Sequence, residues 1–146
     1  MDMWKCLKEQ RQLPIPDEDT LVFWEGCRRH RLLIQQCDDC DEFRFPPGPL
    51  CPQCCSSATT WREDPGRGEI LTFCVYHSEL AGPAWRSRLP YVVVVVELSH
   101  SNVRMLGNLA AKDPGRLAVG LKTGLCFENI NDRITLPQFY LLPDPA

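Results

Sequence analysis

The sequence predicts a mainly β protein in which N-terminal helices precede a zinc ribbon and a small closed barrel. Three observations predict this fold class. Two Cys-x-x-Cys pairs, Cys37/Cys40 and Cys51/Cys54, lie ten residues apart, a spacing typical of zinc ribbons. From Gly68 onward, five strand-like segments follow with no long helix between them. A chain of 146 residues has room for one domain or two very small ones.

Residues 1–30 are predicted to form a helical segment. A short helix is expected over Trp4–Gln12, and it ends at Leu13–Pro16 because this stretch contains two prolines. A second helix is expected over Thr20–Arg29, after a run of acidic residues that suits a helix N-terminus. Its apolar residues share one face at helical spacing: Leu21, Trp24 and Cys27. This face is predicted to dock onto the body of the protein or onto a partner.

Residues 31–64 are predicted to form the ribbon, with strands over Arg31–Gln36 and Thr59–Glu63 on either side of the cysteine pairs. The predicted zinc ligands are the four paired cysteines: Cys37, Cys40, Cys51 and Cys54. Four thiolates about 2.3 Å from a tetrahedral ion leave no position open for water, so the zinc is expected to be structural. Iron in a rubredoxin-like centre is the competing occupant, because the same ligands accept it.

Residues 65–146 are predicted to form the barrel, and the Asp64–Gly68 turn marks its start. The expected strands are Glu69–His77, Tyr91–Leu98, Val103–Leu109, Lys122–Glu128 and Ile134–Leu142. The second contains five consecutive valines and is expected to be a central strand buried on both faces. Five strands fit an OB-fold, the oligonucleotide/oligosaccharide-binding barrel. Cys74 and Cys126 lie in these strands and are expected to be small core residues.

The charge distribution disfavours a nucleic-acid platform. The net charge of -3 arises entirely within the first 27 residues, because acidic and basic residues balance in Arg28–Arg67 and again in Gly68–Ala146. The longest aliphatic run, Val92–Val96, is far shorter than the roughly 20 residues of a membrane helix. The N-terminus lacks the apolar core of a signal peptide. We therefore expect a cytoplasmic protein that binds neither nucleic acid nor membrane.

Motifs of independent catalysis are not found. The sequence contains no serine-nucleophile elbow, paired-histidine metal motif or glycine-rich phosphate loop. A Cys74–His77 dyad is disfavoured, because residues three apart on a strand project to opposite faces. The chain is not expected to be catalytic on its own.

Several motifs, in order, resemble a family of acyl-CoA-associated proteins with a rubredoxin-like zinc ribbon and an OB-fold, once filed as a domain of unknown function. Besides the two cysteine pairs, they are Phe23-Trp24-Glu25-Gly26, Phe45-Pro46-Pro47, Gly66-x-Gly68, Leu89-Pro90-Tyr91 and Leu106-Gly107-Asn108. The likeness runs from about Thr20 to Leu142. The family usually has glycine after the second cysteine of each pair, where this chain has Asp41 and Cys55. Cysteine tolerates a positive φ less well than aspartate.

The resemblance implies an accessory role beside an enzyme. Family members serve as non-catalytic subunits of thiolase-like enzymes or are fused to acyl-CoA hydratases. They accompany archaeal acetyl-CoA acetyltransferase, steroid side-chain aldolases and the benzoylsuccinyl-CoA thiolase of anaerobic toluene breakdown. A short chain such as this one is most similar to the thiolase companions. The implied partner is a thiolase-like catalytic subunit in a hetero-oligomer, and the implied ligand is coenzyme A or an acyl-CoA at their interface.

Five residues are candidates for the acyl-CoA entrance, because a surface for this ligand pairs arginines with apolar contacts. They are Arg44 and Phe45 on the ribbon and Trp85, Arg86 and Arg88 on the loop between the first two barrel strands. Tryptophan and arginine also dominate protein–protein hot spots, and a partner interface is the favoured interpretation. The alternative from another functional class is a nucleic-acid-binding module, which the balanced charge and the few aromatics on the barrel strands disfavour. A stand-alone thiolase would need a longer chain.

Overall fold

The computed structural model describes residues 12–78, 83–110 and 117–143. Within these ranges the elements are α1 (Leu21–Arg28), β1 (Leu32–Cys37), β2 (Phe43–Arg44), β3 (Thr59–Asp64), β4 (Gly68–Tyr76), a 3₁₀ helix (Pro83–Arg88), β5 (Tyr91–Leu98), β6 (Arg104–Leu109), β7 (Lys122–Asn129) and β8 (Thr135–Leu141). The predicted fold class is confirmed: a helix precedes a three-stranded ribbon and a closed five-stranded barrel. All but the last residue of the predicted Trp4–Gln12 helix lies outside the described ranges. No described helix is long and apolar enough to cross a membrane.

Helix α1 lies within the predicted Thr20–Arg29 segment. Before its first turn, Asp17 Oδ1 accepts hydrogen bonds from the Thr20 hydroxyl (2.6 Å) and backbone N–H (2.9 Å), which lower the pKa of Asp17. The buried face differs from the predicted one, because Leu21 is 51% exposed. The buried residues are Phe23, Gly26 and Cys27. A Cβ at Gly26 would lie 2.9 Å from the Arg31 carbonyl oxygen, so glycine allows α1 to pack closely on β1.

The ribbon sheet is antiparallel, in the order β2-β1-β3. In its register Gln35 faces Arg44 across β1 and β2, and Cys37 faces Thr59 across β1 and β3. The first zinc-ligand candidate therefore lies at the end of the central strand. The other three lie on the loops that connect the strands: Cys40 between β1 and β2, and Cys51 and Cys54 between β2 and β3.

The barrel closes in the order β4-β5-β6-β8-β7, and β6 and β8 form a parallel contact at Leu109 and Phe139. Strand β4 pairs with β5 along most of its length and with β7 at its start. A register shift between Ile70 and Thr72 bends β4, which lets one strand serve both neighbours.

Strand β5 has the predicted bounds but not the predicted burial. Four alternate residues are at most 1% exposed: Val92, Val94, Val96 and Leu98. The residues between them on the other face are only half-buried. The expectation of a strand buried on both faces is therefore wrong. In an antiparallel barrel one face lines the core, and the other is outward and only partly covered.

One hydrophobic core joins the helix, the ribbon and the barrel. Phe23, Leu32 and Ile34 belong to the same buried cluster as the barrel residues. The cysteine in this core is Cys27, whose burial raises the pKa of its thiol to about 12. Cys74 is exposed and Cys126 is half-buried, so the expectation that Cys74 is a core residue is wrong.

Candidate metal centre and apolar grooves

The four predicted zinc ligands converge at one end of the ribbon. Their sulfur atoms all lie within 4.8 Å of one another. The Sγ atoms of Cys37 and Cys54 are 3.5 Å apart, and those of Cys40 and Cys51 are 3.6 Å apart. A tetrahedral zinc with sulfur ligands at about 2.3 Å separates neighbouring sulfurs by about 3.8 Å. The donor set therefore fits one structural zinc with no open coordination position.

The two cysteine pairs are held by the same turn, used twice. The Asp41 N–H donates to the Cys37 carbonyl (3.0 Å), and the Cys55 N–H donates to the Cys51 carbonyl (2.9 Å). Asp41 has φ 60 and Cys55 has φ 61, the left-handed conformation in which glycine is least strained. These are the two positions at which the family usually has glycine. Both turns form here without it.

Backbone amides in the second knuckle favour the thiolate form of Cys51. The N–H groups of Cys54 and Gln53 donate to the Cys51 sulfur and lower the pKa of that thiol to about 6. A hydrogen bond to a charged group stabilises the charged form, which is the form that binds metal. In each pair the first cysteine is buried and the second is more accessible.

Arg44 lies inside the ribbon and is not exposed for contact with coenzyme A. Its side chain is 6% exposed. Its Nε donates to Gln35 Oε1 (2.7 Å), and its Nη2 donates to the Gly48 carbonyl (3.1 Å) and to Thr59 Oγ1 (2.5 Å). The structure therefore separates Arg44 from Trp85, Arg86 and Arg88, while Arg44 and Phe45 border one surface pocket together.

Phe45 and Trp85 line one apolar groove between α1 and the barrel. The groove has a volume of about 370 Å³. Its walls come from α1, the ribbon, the 3₁₀ helix, β5, β6 and β8: Phe23, Trp24, Phe45, Trp85, Val93, Met105, Leu106, Gly107, Asn108, Leu136, Pro137 and Gln138. The Phe23 and Phe45 rings are 5.4 Å apart, so the ribbon and helix form one aromatic wall.

A second groove, of about 420 Å³, begins on the other side of Trp85. Trp85, Asn108 and Gln138 line both grooves, so the two form a continuous concave surface. We call this surface the Trp85 groove. Its far end is lined by Arg88, Pro90, Tyr91, Leu109, Ala110, Cys126, Phe127 and Glu128.

Aromatic stacking fixes the position of Trp85. Its ring centroid is 4.5 Å from that of Tyr91, and Tyr91 stacks on Tyr76 at 4.8 Å with the rings 6° from parallel. Arg86 and Arg88 are exposed on the same 3₁₀ helix, and the Arg88 guanidinium forms an ion pair with Glu128. The structure thus places Trp85, Arg86 and Arg88 together, with Phe45 across the groove.

Sequence reasoning missed Leu106, which lines the groove and is 66% exposed. In β6 it takes an outward position, because Met105 before it is buried. A large apolar residue on the outward face of an alternating strand was the available signal.

Comparison with known proteins matches both halves of the chain to domains of one family. Residues 24–60 match the model of the ChsH2 rubredoxin-like zinc ribbon domain, and residues 61–128 match that of the ChsH2 C-terminal OB-fold domain. A "Probable enoyl-CoA hydratase alpha subunit" of Thermomonospora curvata is 33% identical over 132 residues, which is 90% of this chain and 40% of the relative. The "3-oxo-4,17-pregnadiene-20-carboxyl-CoA hydratase alpha subunit" of Mycobacterium tuberculosis is 38% identical over 109 residues, 74% of this chain and 33% of the relative. The chain thus spans well under half of either relative.

Two solved structures share the fold. A chain of the "Ltp2-ChsH2(DUF35) aldolase" superposes with a TM-score of 0.79 and 32% identity, covering 88% of this chain and 98% of the solved one. A DUF35-family protein of unknown function from Sulfolobus solfataricus superposes with a TM-score of 0.64, over 95% of this chain and 96% of the other. At 11% identity, the second likeness shows the fold alone.

Proposed function

This chain belongs to the ChsH2 (DUF35) family of zinc-ribbon and OB-fold proteins, and from that premise we propose that it is a non-catalytic accessory subunit of a thiolase-like enzyme acting on an acyl-CoA. It works in the cytoplasm as part of a hetero-oligomer, where it braces the catalytic subunit and helps to form the acyl-CoA entrance. The observation that carries this proposal is the Trp85 groove, a continuous and mainly apolar concavity. Exposed apolar surface of this kind marks sites of interaction.

The metal centre supports a structural role. When bound, zinc holds the two knuckles together and, with four thiolate ligands, offers no open position for a substrate or water. Two of the histidines pack on aromatic rings: His30 stacks on Phe127 at 5.2 Å, and His100 contacts the edge of Phe43 at 5.9 Å. The catalytic groups would belong to the partner.

The names of the relatives support a subunit that works on CoA esters. Two are called alpha subunits of hydratases with CoA-linked substrates, and the solved relative is called an aldolase with two named components. The proposal that the partner is a thiolase-like enzyme rests on the motif resemblance.

The Trp85 groove has residues suited to contact with the partner and residues suited to contact with coenzyme A. Trp85 and Phe45 are apolar anchors in a concave surface, the setting in which aromatic residues contribute most to binding. Arg88 lines its far end and Arg86 lies on the same 3₁₀ helix, where both would face the phosphates of coenzyme A. Contact with the partner is the main role that we propose for this surface, and contact with coenzyme A is secondary. Arg44 is left out of this surface because it is buried.

Charge pairing on the barrel argues against a nucleic-acid-binding module. Arg104 and Lys122 each pair with a carboxylate, of Glu97 and Glu69 respectively. Cations neutralised in this way contribute little to phosphate binding. Salt-sensitive binding of a single-stranded oligonucleotide at low micromolar concentration would favour that module instead.

Affinity purification of the tagged chain from its native host tests the proposal. We expect a thiolase-fold enzyme to co-purify in a fixed ratio, identified by mass spectrometry. Recovery of a monomer without a partner would contradict the accessory role. In the purified complex, the Arg86→Ala, Arg88→Ala double variant should raise the KM for acyl-CoA. If only assembly weakens, Arg86 and Arg88 have no role in binding coenzyme A.

A further inference from the structure

Arg44 is a buried cation whose hydrogen bonds go to neutral acceptors. Its side chain is 6% exposed, and its partners are the Gln35 amide oxygen, the Gly48 carbonyl and the Thr59 hydroxyl. Its Nη1 atom is buried with no hydrogen-bond partner among the described residues. An arginine stays protonated in proteins, and a buried charge is costly unless an opposite charge lies nearby. The ribbon should therefore provide a negative charge close to this guanidinium.

The strand register places the guanidinium on the face of the sheet that carries the side chain of the first zinc ligand. Gln35 and Cys37 are two residues apart on β1, so their side chains lie on the same face of the sheet. Arg44 faces Gln35 on one neighbouring strand, and Thr59 faces Cys37 on the other. Directly opposed residues have Cβ atoms about 4.5–5.5 Å apart. Because Arg44 donates to both Gln35 and Thr59, its guanidinium crosses the sheet on the face that carries the Cys37 side chain.

The zinc centre, whose first ligand is Cys37, brings negative charge to that face. A Zn²⁺ ion with four thiolates carries a formal charge of about -2, since each ligand binds as the deprotonated sulfur. Zinc binding displaces the protons of the thiols that are protonated in the empty site, so the empty site carries less negative charge than the zinc-bound one. A fixed positive charge beside the site therefore favours the metal-bound state over the empty one.

We propose that Arg44 is the counter-ion of the zinc tetrathiolate centre and raises its affinity for metal. The same side chain braces the ribbon, since its donors join β1, β3 and the Gly48 loop. Arginine suits both roles, because it combines a permanent charge with five donors. This role depends on the metal centre alone and stands whether or not a partner enzyme binds the Trp85 groove.

Metal titration of the full-length chain tests this role. The Arg44→Gln variant removes the charge and keeps a hydrogen-bonding amide, whereas Arg44→Lys keeps the charge and loses the planar fork. Arg62→Gln is the matched control, because Arg62 is an exposed arginine of β3 whose one side-chain hydrogen bond to a described residue goes to the Gln36 side chain at 3.2 Å. Co²⁺ binding is followed by its visible absorption, and Zn²⁺ affinity is measured by displacement of the Co²⁺.

We expect Arg44→Gln to weaken Zn²⁺ binding about tenfold or more, the order of magnitude by which changes around the ligands weaken a metal site. Arg62→Gln should stay within about twofold, because an exposed charge is screened. Arg44→Lys should retain most of the affinity. Equal affinities for Arg44→Gln and Arg62→Gln would overturn the counter-ion role. A loss in Arg44→Lys as large as in Arg44→Gln would assign Arg44 to bracing alone. If Arg44→Gln does not fold, Arg44→Lys is compared with the unsubstituted chain: retained Zn²⁺ affinity supports the counter-ion role, and a loss of about tenfold or more overturns it.

Discussion

The ribbon and the barrel are stabilised by different means. The barrel buries a cluster of apolar side chains: Ile70, Val92, Val94, Val96, Leu98, Val103, Met105, Leu109 and Phe139. At the knuckle end of the ribbon, the buried residues are chiefly the cysteines Cys37 and Cys51 and the charged Arg44. Metal coordination and polar contacts therefore take the place of a core there. A change in the barrel should act on the stability of the whole chain, whereas a change at the knuckles should act through metal binding.

Removal of zinc with a chelator should have the largest effect, and it should be confined to the knuckles. Metal binding supplies about 10–16 kcal/mol in small structural zinc sites, and the knuckle segment, residues 38–41 and 52–55, has no buried residue of its own. Hydrogen exchange followed by mass spectrometry should show loss of protection in this segment, while β5 amides stay protected. Equal loss of protection in β5 would show that the ribbon and the barrel unfold as one unit.

Phe139→Ala should produce the largest effect of a single substitution, and it should act on the whole chain. Phe139 is fully buried, and replacing a buried phenylalanine with alanine costs about 3–5 kcal/mol. Urea denaturation should show this loss, with the zinc content of the folded fraction unchanged. Val119→Ala is the control, because Val119 is 64% exposed and its loss should change the free energy of unfolding by less than about 0.5 kcal/mol.

Leu106→Glu should weaken partner binding without lowering the stability of the chain. The side chain is 66% exposed and lines the Trp85 groove, so a charge there meets water in the free chain and an apolar surface in the complex. We expect binding to the catalytic subunit, measured by isothermal titration calorimetry, to weaken about tenfold or more, as for a hot-spot residue. Val119→Glu carries the same charge at a similarly exposed position. Equal losses in both variants would mean that the groove is not the docking surface.

Cys55→Gly should slightly increase the stability of the second knuckle. Cys55 has φ 61, a conformation that costs a residue with a Cβ about 1–2 kcal/mol. Part of this gain is lost to the greater freedom of glycine in the unfolded chain, so a net stabilisation of about 0.5–1 kcal/mol is expected in the zinc-loaded ribbon. Thermal denaturation measures it, and Asp41→Gly should gain less because aspartate tolerates this conformation better. A loss of the bound zinc in Cys55→Gly would show that Cys55 acts as a ligand.

Spacing and periodicity predicted much of the fold. The bounds of β5 agree with prediction, and the two cysteine pairs identified the set that the structure brings together. These signals are local in sequence, because a strand needs its apolar run and a knuckle needs its two cysteines.

The side chains whose burial was predicted wrongly are those whose inward or outward orientation depends on strand register. The shift between Ile70 and Thr72 in β4 changes which later residues face inward, and Cys74 therefore points outward. Strand β2 has only two residues, so no alternation along it could show that Arg44 points inward. The Trp85 groove joins residues distant in sequence, and its outline follows from how α1 and the ribbon pack on the barrel.

The kinetics of the partner enzyme test the central claim most directly. The catalytic subunit recovered with this chain is purified alone, and its kcat/KM for acyl-CoA is measured as the chain is added back. We predict a saturable rise in kcat/KM, no turnover by this chain alone, and a rise displaced to higher concentrations by Leu106→Glu but not by Val119→Glu. Turnover by this chain alone, or binding that leaves kcat/KM unchanged, would contradict the proposed accessory role.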